Sequence, residues 1–270
     1  MQPSTGGRSV NFQEHRVLGR TGVPVSRIGL AGGYGVPARA VERAFHEYGV
    51  NYFYWVSRKP GMKGALKALG TSRREELVIA AQSYTRSAPF LSRSVDKALR
   101  ELETEYLDVL FLGWFNKMPG SRLLDRAREL KERGKVRFLG VTGHNRKFHG
   151  EMARREDGPF DVLQVRYSAA HRGAEGEVFQ DLPSIRPGIS TYTATRWGKL
   201  LKAKKMPPGD TPLTAAECYR FALSHPAVDV CIAGPRTEEQ MLEGLTALSS
   251  GPLDPKEMER VKRIGDFVHG

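Results

Sequence analysis

Cysteine is scarce in this chain of 270 residues: Cys218 and Cys231 are the two thiols, and both fall in apolar stretches. Such sparing use excludes a disulfide framework, and the pair reads as core thiols suited to a reducing cytoplasm. The seven histidines show no metal-ligand spacing, so no metal site is expected. No apolar run approaches the roughly 20 residues of a membrane span. Residues 1–14 are polar and glycine-bearing, without the apolar region of a secretory leader, and a cytoplasmic location is expected. A long basic block with interleaved aromatics is also missing. The formal net charge is +12, yet Lys and Arg alternate with Asp and Glu, as in ELKERGK and EMARREDG. Nucleic acid is therefore not the expected partner, whereas a positive field does attract a small anion such as a dinucleotide.

With 40% apolar residues there is material for a large core. Short apolar runs alternate with longer amphipathic ones. Strands are expected at 27–31, 51–56, 77–82, 108–114, 136–141, 160–167, 188–194 and 229–234; their continuous apolar character fits parallel strands buried on both faces. Between them, ARAVERAFHEYG places Val41, Ala44, Phe45 and Tyr48 on one stripe and ends at Gly49, and SRSVDKALRELETEY does the same with Val95, Ala98, Leu99 and Leu102. SRLLDRARELKERGK and TAAECYRFALSH follow suit. Eight strands, each followed by a helix, predict a closed parallel (β/α)₈ TIM barrel of α/β class, for which about 250 residues suffice. The sixth unit is the weakest, with only a short helix, VFQDL (178–182), ahead of Pro183 and Pro187. RVLGRTGVPVS reads as an N-terminal hairpin, turned over Gly19 to Gly22, that plugs the barrel. DPKEMERVKRIGDFV reads as a final outer helix with Asp254 as N-cap and Pro255 at its first position. No linker or low-complexity segment interrupts the chain, so one domain is expected over 15–270, with a flexible arm over 1–14.

Six collinear segments then match a known family. RVLGRTGVPVSRIGLAGG, GVNYFYWV, KERGKVRFLGVTGHN, FDVLQVRYS, YTATRWGKLL and HPAVDVCIAGPRTEEQMLEG resemble, in order, the opening hairpin and first, second, fifth, sixth, seventh and eighth strand regions of aldo-keto reductases. The resemblance runs from about Arg16 to Val268. It implies an NADP(H)-binding barrel with the cofactor laid across the C-terminal strand ends, where barrel enzymes keep their sites. At the matching positions, Gln164 and Thr142 would bond the nicotinamide carboxamide, and Tyr192 would stack on its ring. Thr193, Gly198 and Lys199 would cradle the pyrophosphate. Gly234 and Arg236 precede a helix whose Thr237 and Gln240 have capping-box spacing, so that backbone donors face an anion and the guanidinium suits a 2′-phosphate. Gln240 and Glu243 match the adenine side, and Gly244 stands where an asparagine is common. Read without the family, the same segment is a well-capped surface helix.

The catalytic positions depart from the pattern. The family draws its proton from a tyrosine, tuned by a lysine that an aspartate holds, while a histidine orients the carbonyl. The aspartate position is Tyr54, the tyrosine Lys59, the lysine Gln82 and the histidine Gly113, inside flanks that otherwise match. Glycine at 113 would open room above the nicotinamide, and glutamine carries no charge to lower a phenol's pKa. Two readings stay open. One is an NADP(H)-dependent oxidoreductase with an altered site, acting on a small carbonyl or other organic substrate, in which Tyr54 and Lys59 have exchanged roles or His144 serves as the acid. The other is a catalytically silent NADP(H)-binding or regulatory pseudoenzyme. Trp114, Phe115, Met118, Tyr34 and Trp197 are candidates to wall the pocket or simply to pack.

Overall fold

The computed structural model describes residues 12–269. Eight parallel strands, β3 (Ile28–Ala31), β4 (Tyr52–Trp55), β5 (Val78–Ser83), β6 (Leu107–Leu112), β7 (Val136–Thr142), β8 (Val162–Arg166), β9 (Gly188–Tyr192) and β10 (Val230–Ala233), close into a barrel in which β10 pairs with β3. Each lies within two residues of its expected bounds. Around them run α1 (Ala38–Tyr48), α2 (Pro60–Arg73), α3 (Ala88–Leu102), α4 (Ser121–Glu132), α5 (Arg146–Ala153), α6 (Ala174–Glu177), α7 (Ala215–Ser224), α8 (Glu238–Ser250) and α9 (Pro255–His269). Asp254 and Glu257 cap α9 reciprocally, each side chain accepting the other's backbone N–H at 2.8 Å. Among the described residues no helix is long and apolar enough to cross a membrane.

Two expectations need correction. The helix after β8 is α6, which precedes the VFQDL stretch. Val178 and Phe179 are buried as an irregular tail, and Asp181 takes a left-handed φ of 53° just before Pro183, which together stop a helix there. Tyr48 stands at the rim of the α1 stripe, 37% exposed, while Val41, Ala44 and Phe45 are buried. Of the arm expected over 1–14, residues 1–11 lie outside the described residues; Phe12 is buried beneath the Arg27 guanidinium.

Alternation along each strand divides the apolar residues between two cores. One face packs on the helices. The other fills the barrel axis, where Tyr52, Val78, Val109, Phe111, Val162 and Val230 meet. The hairpin of β1 (Arg16–Val17) and β2 (Pro24–Val25) plugs this axis from the N-terminal end, driving Leu18 and Val25 into the inner cluster. Its turn begins at Gly19, with φ of 47°, where a Cβ would collide with the backbone at Pro187 and Gly188.

The same floor carries a repeated clamp. At the start of every second barrel strand a side-chain oxygen accepts a backbone N–H from the preceding strand or from the residues that lead into it. Asn51 takes Ser26 N–H at 2.8 Å, Asp108 takes Ile79 at 2.9 Å, Asp161 takes Leu139 at 2.9 Å and Asp229 takes Ile189 at 2.8 Å. Asp108 and Asp229 are fully buried, and cations neutralise both. Arg74 and Arg137 bond Asp108 at 2.9 and 2.8 Å; Arg186 grips Asp229 with two bonds of 2.8 Å, and Arg16 adds a contact at 3.1 Å. Asp108→Ala leaves Arg74 and the Ile79 N–H without their acceptor, and is expected to cost about 3–5 kcal/mol in denaturant unfolding. Asp108→Asn, which keeps an oxygen for Ile79, should cost less.

Candidate functional site

The inner face of each strand also decides what reaches the C-terminal mouth. Two residues beyond an axis-filling position lies a mouth position, so Tyr54 follows Tyr52, Gln82 follows Ala80, Gly113 follows Phe111 and Gln164 follows Val162. The Tyr54 phenol donates a hydrogen bond to Gln82 Oε1, so the aspartate and lysine positions do meet, as a phenol and an amide. Burial raises the Tyr54 pKa well above its ordinary value, and the neighbouring phenols of Tyr84, Tyr52 and Tyr192 add to the shift. The phenol is therefore protonated throughout the neutral range. The Gln82 Nε2 is buried and has no partner among the described residues.

Gly113 does not leave the space expected of it. A Cβ there would collide with the Gln82 amide and come within 2.9 Å of the Tyr84 ring, so these two side chains already fill the volume of a residue at 113. Tyr84 in turn meets Trp114 edge-on, ring centroids 4.9 Å apart, and is 56% exposed. Lys59 does not join Tyr54: it is the exposed residue preceding α2, and its ammonium has no bonded partner among the described residues. His144 is exposed as well. Its backbone N–H is held by Asn116 Oδ1 at 2.7 Å, and no bond links its ring to the Tyr54 cluster.

Opposite the phenols lies a second group. Thr142 at the end of β7 and Gln164 in the middle of β8 are register partners, both buried, and the Gln164 amide makes no hydrogen bond to a described residue. Tyr192 ends β9. Burial raises its pKa, while nearby Arg166 and the Thr142 hydroxyl draw it partly back. Beyond Tyr192 the chain turns through left-handed conformations at Thr193 (φ 62°), Arg196 (49°), Trp197 (51°) and Gly198 (77°), and Lys199 opens a short 3₁₀ turn. Thr193 Oγ1 bonds the Tyr192 carbonyl at 2.6 Å, and Gly198 N–H bonds Thr195 Oγ1 at 3.2 Å, which fixes this loop.

At the start of α8, Thr237 caps Gln240 N–H, but the Gln240 side chain reaches back to Arg236 N–H (2.9 Å) and not to the cap itself, one residue off the expected box. The Arg236 side chain is exposed. Gly234 admits the Tyr34 ring, whose Cδ2 would lie 2.5 Å from a Cβ at that position. Glu243 accepts the Ala216 N–H at 3.2 Å, so it ties α8 to α7, and Gly244 makes room for the Tyr219 ring. Tyr84 and Arg166, which the sequence reading passed over, both belong to the mouth; each lies two residues past a recognised position, Gln82 and Gln164, and the period of two carries that signal.

The sequence model of the aldo/keto reductase family matches residues 38–184, more than half of the chain. The chain belongs to the aldo/keto reductase family. It is 29% identical to the L-galactose dehydrogenase of Arabidopsis thaliana over 93% of this chain and 94% of that protein. An aldo-keto reductase of Bacillus halodurans in its holo form superimposes with a TM-score of 0.75 at 18% identity, covering 93% of this chain and 96% of that one. A Klebsiella pneumoniae aldo/keto reductase, solved with NADP and acetate, gives 0.73 at 21% identity, covering 94% and 96%. Against these aldo/keto reductases the barrel and its hairpin are shared architecture.

One further group flanks the site on the β8 and β9 side. Arg196 donates to the His171 ring, and His269 meets that ring edge-on at 5.1 Å. Burial lowers the His171 pKa to about 4, helped by Arg166, Arg196, His269 and Arg146. Its folded value lies below the unfolded 6.5, so between about pH 6.5 and 4 the unfolded chain binds the extra proton and stability falls as the pH drops. The melting midpoint should decline more steeply across that window in the wild type than in His171→Gln; identical slopes would exclude this contribution.

Proposed function

We propose that the protein is an NADP(H)-dependent oxidoreductase in which the Tyr54 phenol, positioned by Gln82, replaces the family's proton donor toward a small carbonyl substrate. The observation that carries this reading is the Tyr54–Gln82 hydrogen bond at the mouth, across from an unspent Gln164 amide. The side chains around the mouth are of the kinds that a dinucleotide needs. Gln164 and Thr142 offer an amide and a hydroxyl to a carboxamide, Tyr192 a ring to stack, the Thr193–Lys199 loop a preformed turn for a pyrophosphate, and Arg236 an uncommitted guanidinium for a 2′-phosphate. The Klebsiella relative, solved with NADP, supports the same cofactor.

The cofactor when bound supplies the hydride; the chain must hold the carbonyl and deliver a proton. Tyr54 holds its proton throughout the neutral range, and the pKa raised by burial makes it a weak acid that gives the proton up only as negative charge develops on the carbonyl oxygen. Gln82 accepts the phenolic proton and fixes its direction but lends no positive charge to the phenolate left behind. A silent NADP(H)-binding role is the second reading, favoured by the closed space at Gly113 and by the commitment of the Tyr54 proton to Gln82.

The test mixes protein with NADPH and follows its consumption with aldehydes, ketones and quinones. Turnover that Tyr54→Phe lowers by two orders of magnitude or more, with NADPH affinity retained, is the expected result. Unchanged turnover in Tyr54→Phe removes the phenol from the mechanism and turns attention to Tyr84→Phe. NADPH binding without turnover on any carbonyl establishes the silent reading.

A further inference from the structure

The mouth holds a charged side chain, Arg166, that neither the catalytic nor the cofactor assignments use and that no described group satisfies. Arg166 ends β8 on the inner face, following Val162 in the barrel axis and Gln164 at the carboxamide position. At about 3.3 Å per residue it stands some 6–7 Å beyond Gln164 toward solvent. Its register partner is Tyr192, whose phenol responds to its charge. Arg166 is half-buried, and its guanidinium makes no hydrogen bond or ion pair with any described residue. This is unusual in a chain where other half-buried arginines are spoken for: Arg74 by Asp108, Arg186 by Asp229, Arg220 by Glu257, Arg146 by Glu177.

Its surroundings are of its own sign. His171, Arg196 and Arg146 lie close enough to share an electrostatic environment, and burial first, then the charges of Arg166, Arg196, His269 and Arg146, keep His171 neutral. Arg146 and Arg172 have carboxylate partners, Glu177 and Asp266, and Arg196 is spent on His171. None is left for Arg166, and the strand position where the family keeps its aspartate holds Tyr54. A half-buried guanidinium among like charges, with five donors and no acceptor, is unfavourable unless an anion arrives. The cofactor's phosphates are placed elsewhere by the reading above, at the Thr193–Lys199 loop and at Arg236, while the residue next to Arg166 along the strand face, Gln164, is assigned to the uncharged carboxamide.

We infer that Arg166 anchors a carboxylate on the substrate, so that the carbonyl compound this site takes is an oxo acid or an acid-bearing aldehyde. The guanidinium fork matches the two carboxylate oxygens, and Arg166 ends the strand that lies across the barrel from β4, which carries Tyr54, so an anion held there orients a carbonyl across the mouth. The inference rests on the mouth being the reaction site, and the experiment separates the two.

Two readouts are used. In the first, NADPH oxidation is followed with 4-carboxybenzaldehyde and with its methyl ester. The wild type should prefer the acid by about 10- to 100-fold in kcat/KM, and Arg166→Gln should abolish that preference while leaving the ester rate and NADPH affinity unchanged, with Arg166→Lys intermediate. In the second, benzoate and benzamide are titrated calorimetrically into the protein with and without NADP⁺. Benzoate should bind the wild type and bind Arg166→Gln at least ten-fold more weakly, whereas benzamide should not discriminate. Benzoate discrimination without turnover upholds the anion site and defeats the oxidoreductase reading. Turnover with equal acid and ester rates, or a loss of NADPH affinity in Arg166→Gln with acid preference intact, overturns the carboxylate anchor. Absence of benzoate binding and of acid preference together does so as well.

Discussion

The four acceptors at the barrel floor, Asn51, Asp108, Asp161 and Asp229, are the constraint from which the remaining architecture follows. A closed parallel sheet leaves backbone donors at the beginnings of its strands, and burying them without a partner would cost each its full desolvation penalty. Here each acceptor joins strands in pairs and recruits, for the carboxylates, a cation from the surrounding helices or loops. The hairpin closes over the same end, with Leu18 as its stopper. Cohesion is thereby concentrated opposite the mouth, and the mouth can change its chemistry without weakening the barrel.

On the proposed reading, that separation lets neutral groups stand at the mouth where the family keeps an ionic network. An aspartate and a lysine in a mouth of low dielectric must be held together against the cost of their own desolvation. A phenol bonded to an amide carries no such burden, and Gln82 and Tyr84 fit into the volume left at Gly113. A positive charge stands at Arg166 on β8, where it bears on the Tyr192 phenol and the His171 ring.

Much of this was legible in the chain. Parallel strands buried on both faces announce themselves as unbroken apolar runs, and the frames NYF before Tyr54, VIA before Gln82 and DVLFL before Gly113 fixed the register of the mouth. The period of two then sufficed to point Tyr84 and Arg166 inward, although attention to family positions obscured them. What could not be read was occupancy: the filling of the space beside Gly113 depends on side chains from another strand. Lys59 lay in a loop, whose course no periodicity sets. The Glu243 bond to Ala216 depends on the approach of two helices, and the helix after β8 shifted because tertiary burial of Val178 and Phe179 overrode local propensity.

The loop after β9 carries one last implication. Thr193, Arg196 and Trp197 hold left-handed backbone that side-chain-bearing residues ordinarily avoid, at roughly 1–2 kcal/mol each, and short internal bonds lock them there. A cradle already bent to its final curvature loses little conformational freedom when a guest settles into it. On the proposed cofactor reading, affinity at this rim comes from rigidity set during folding, and loosening any one of the three turns would be felt as a faster escape of the bound molecule, with its arrival little altered.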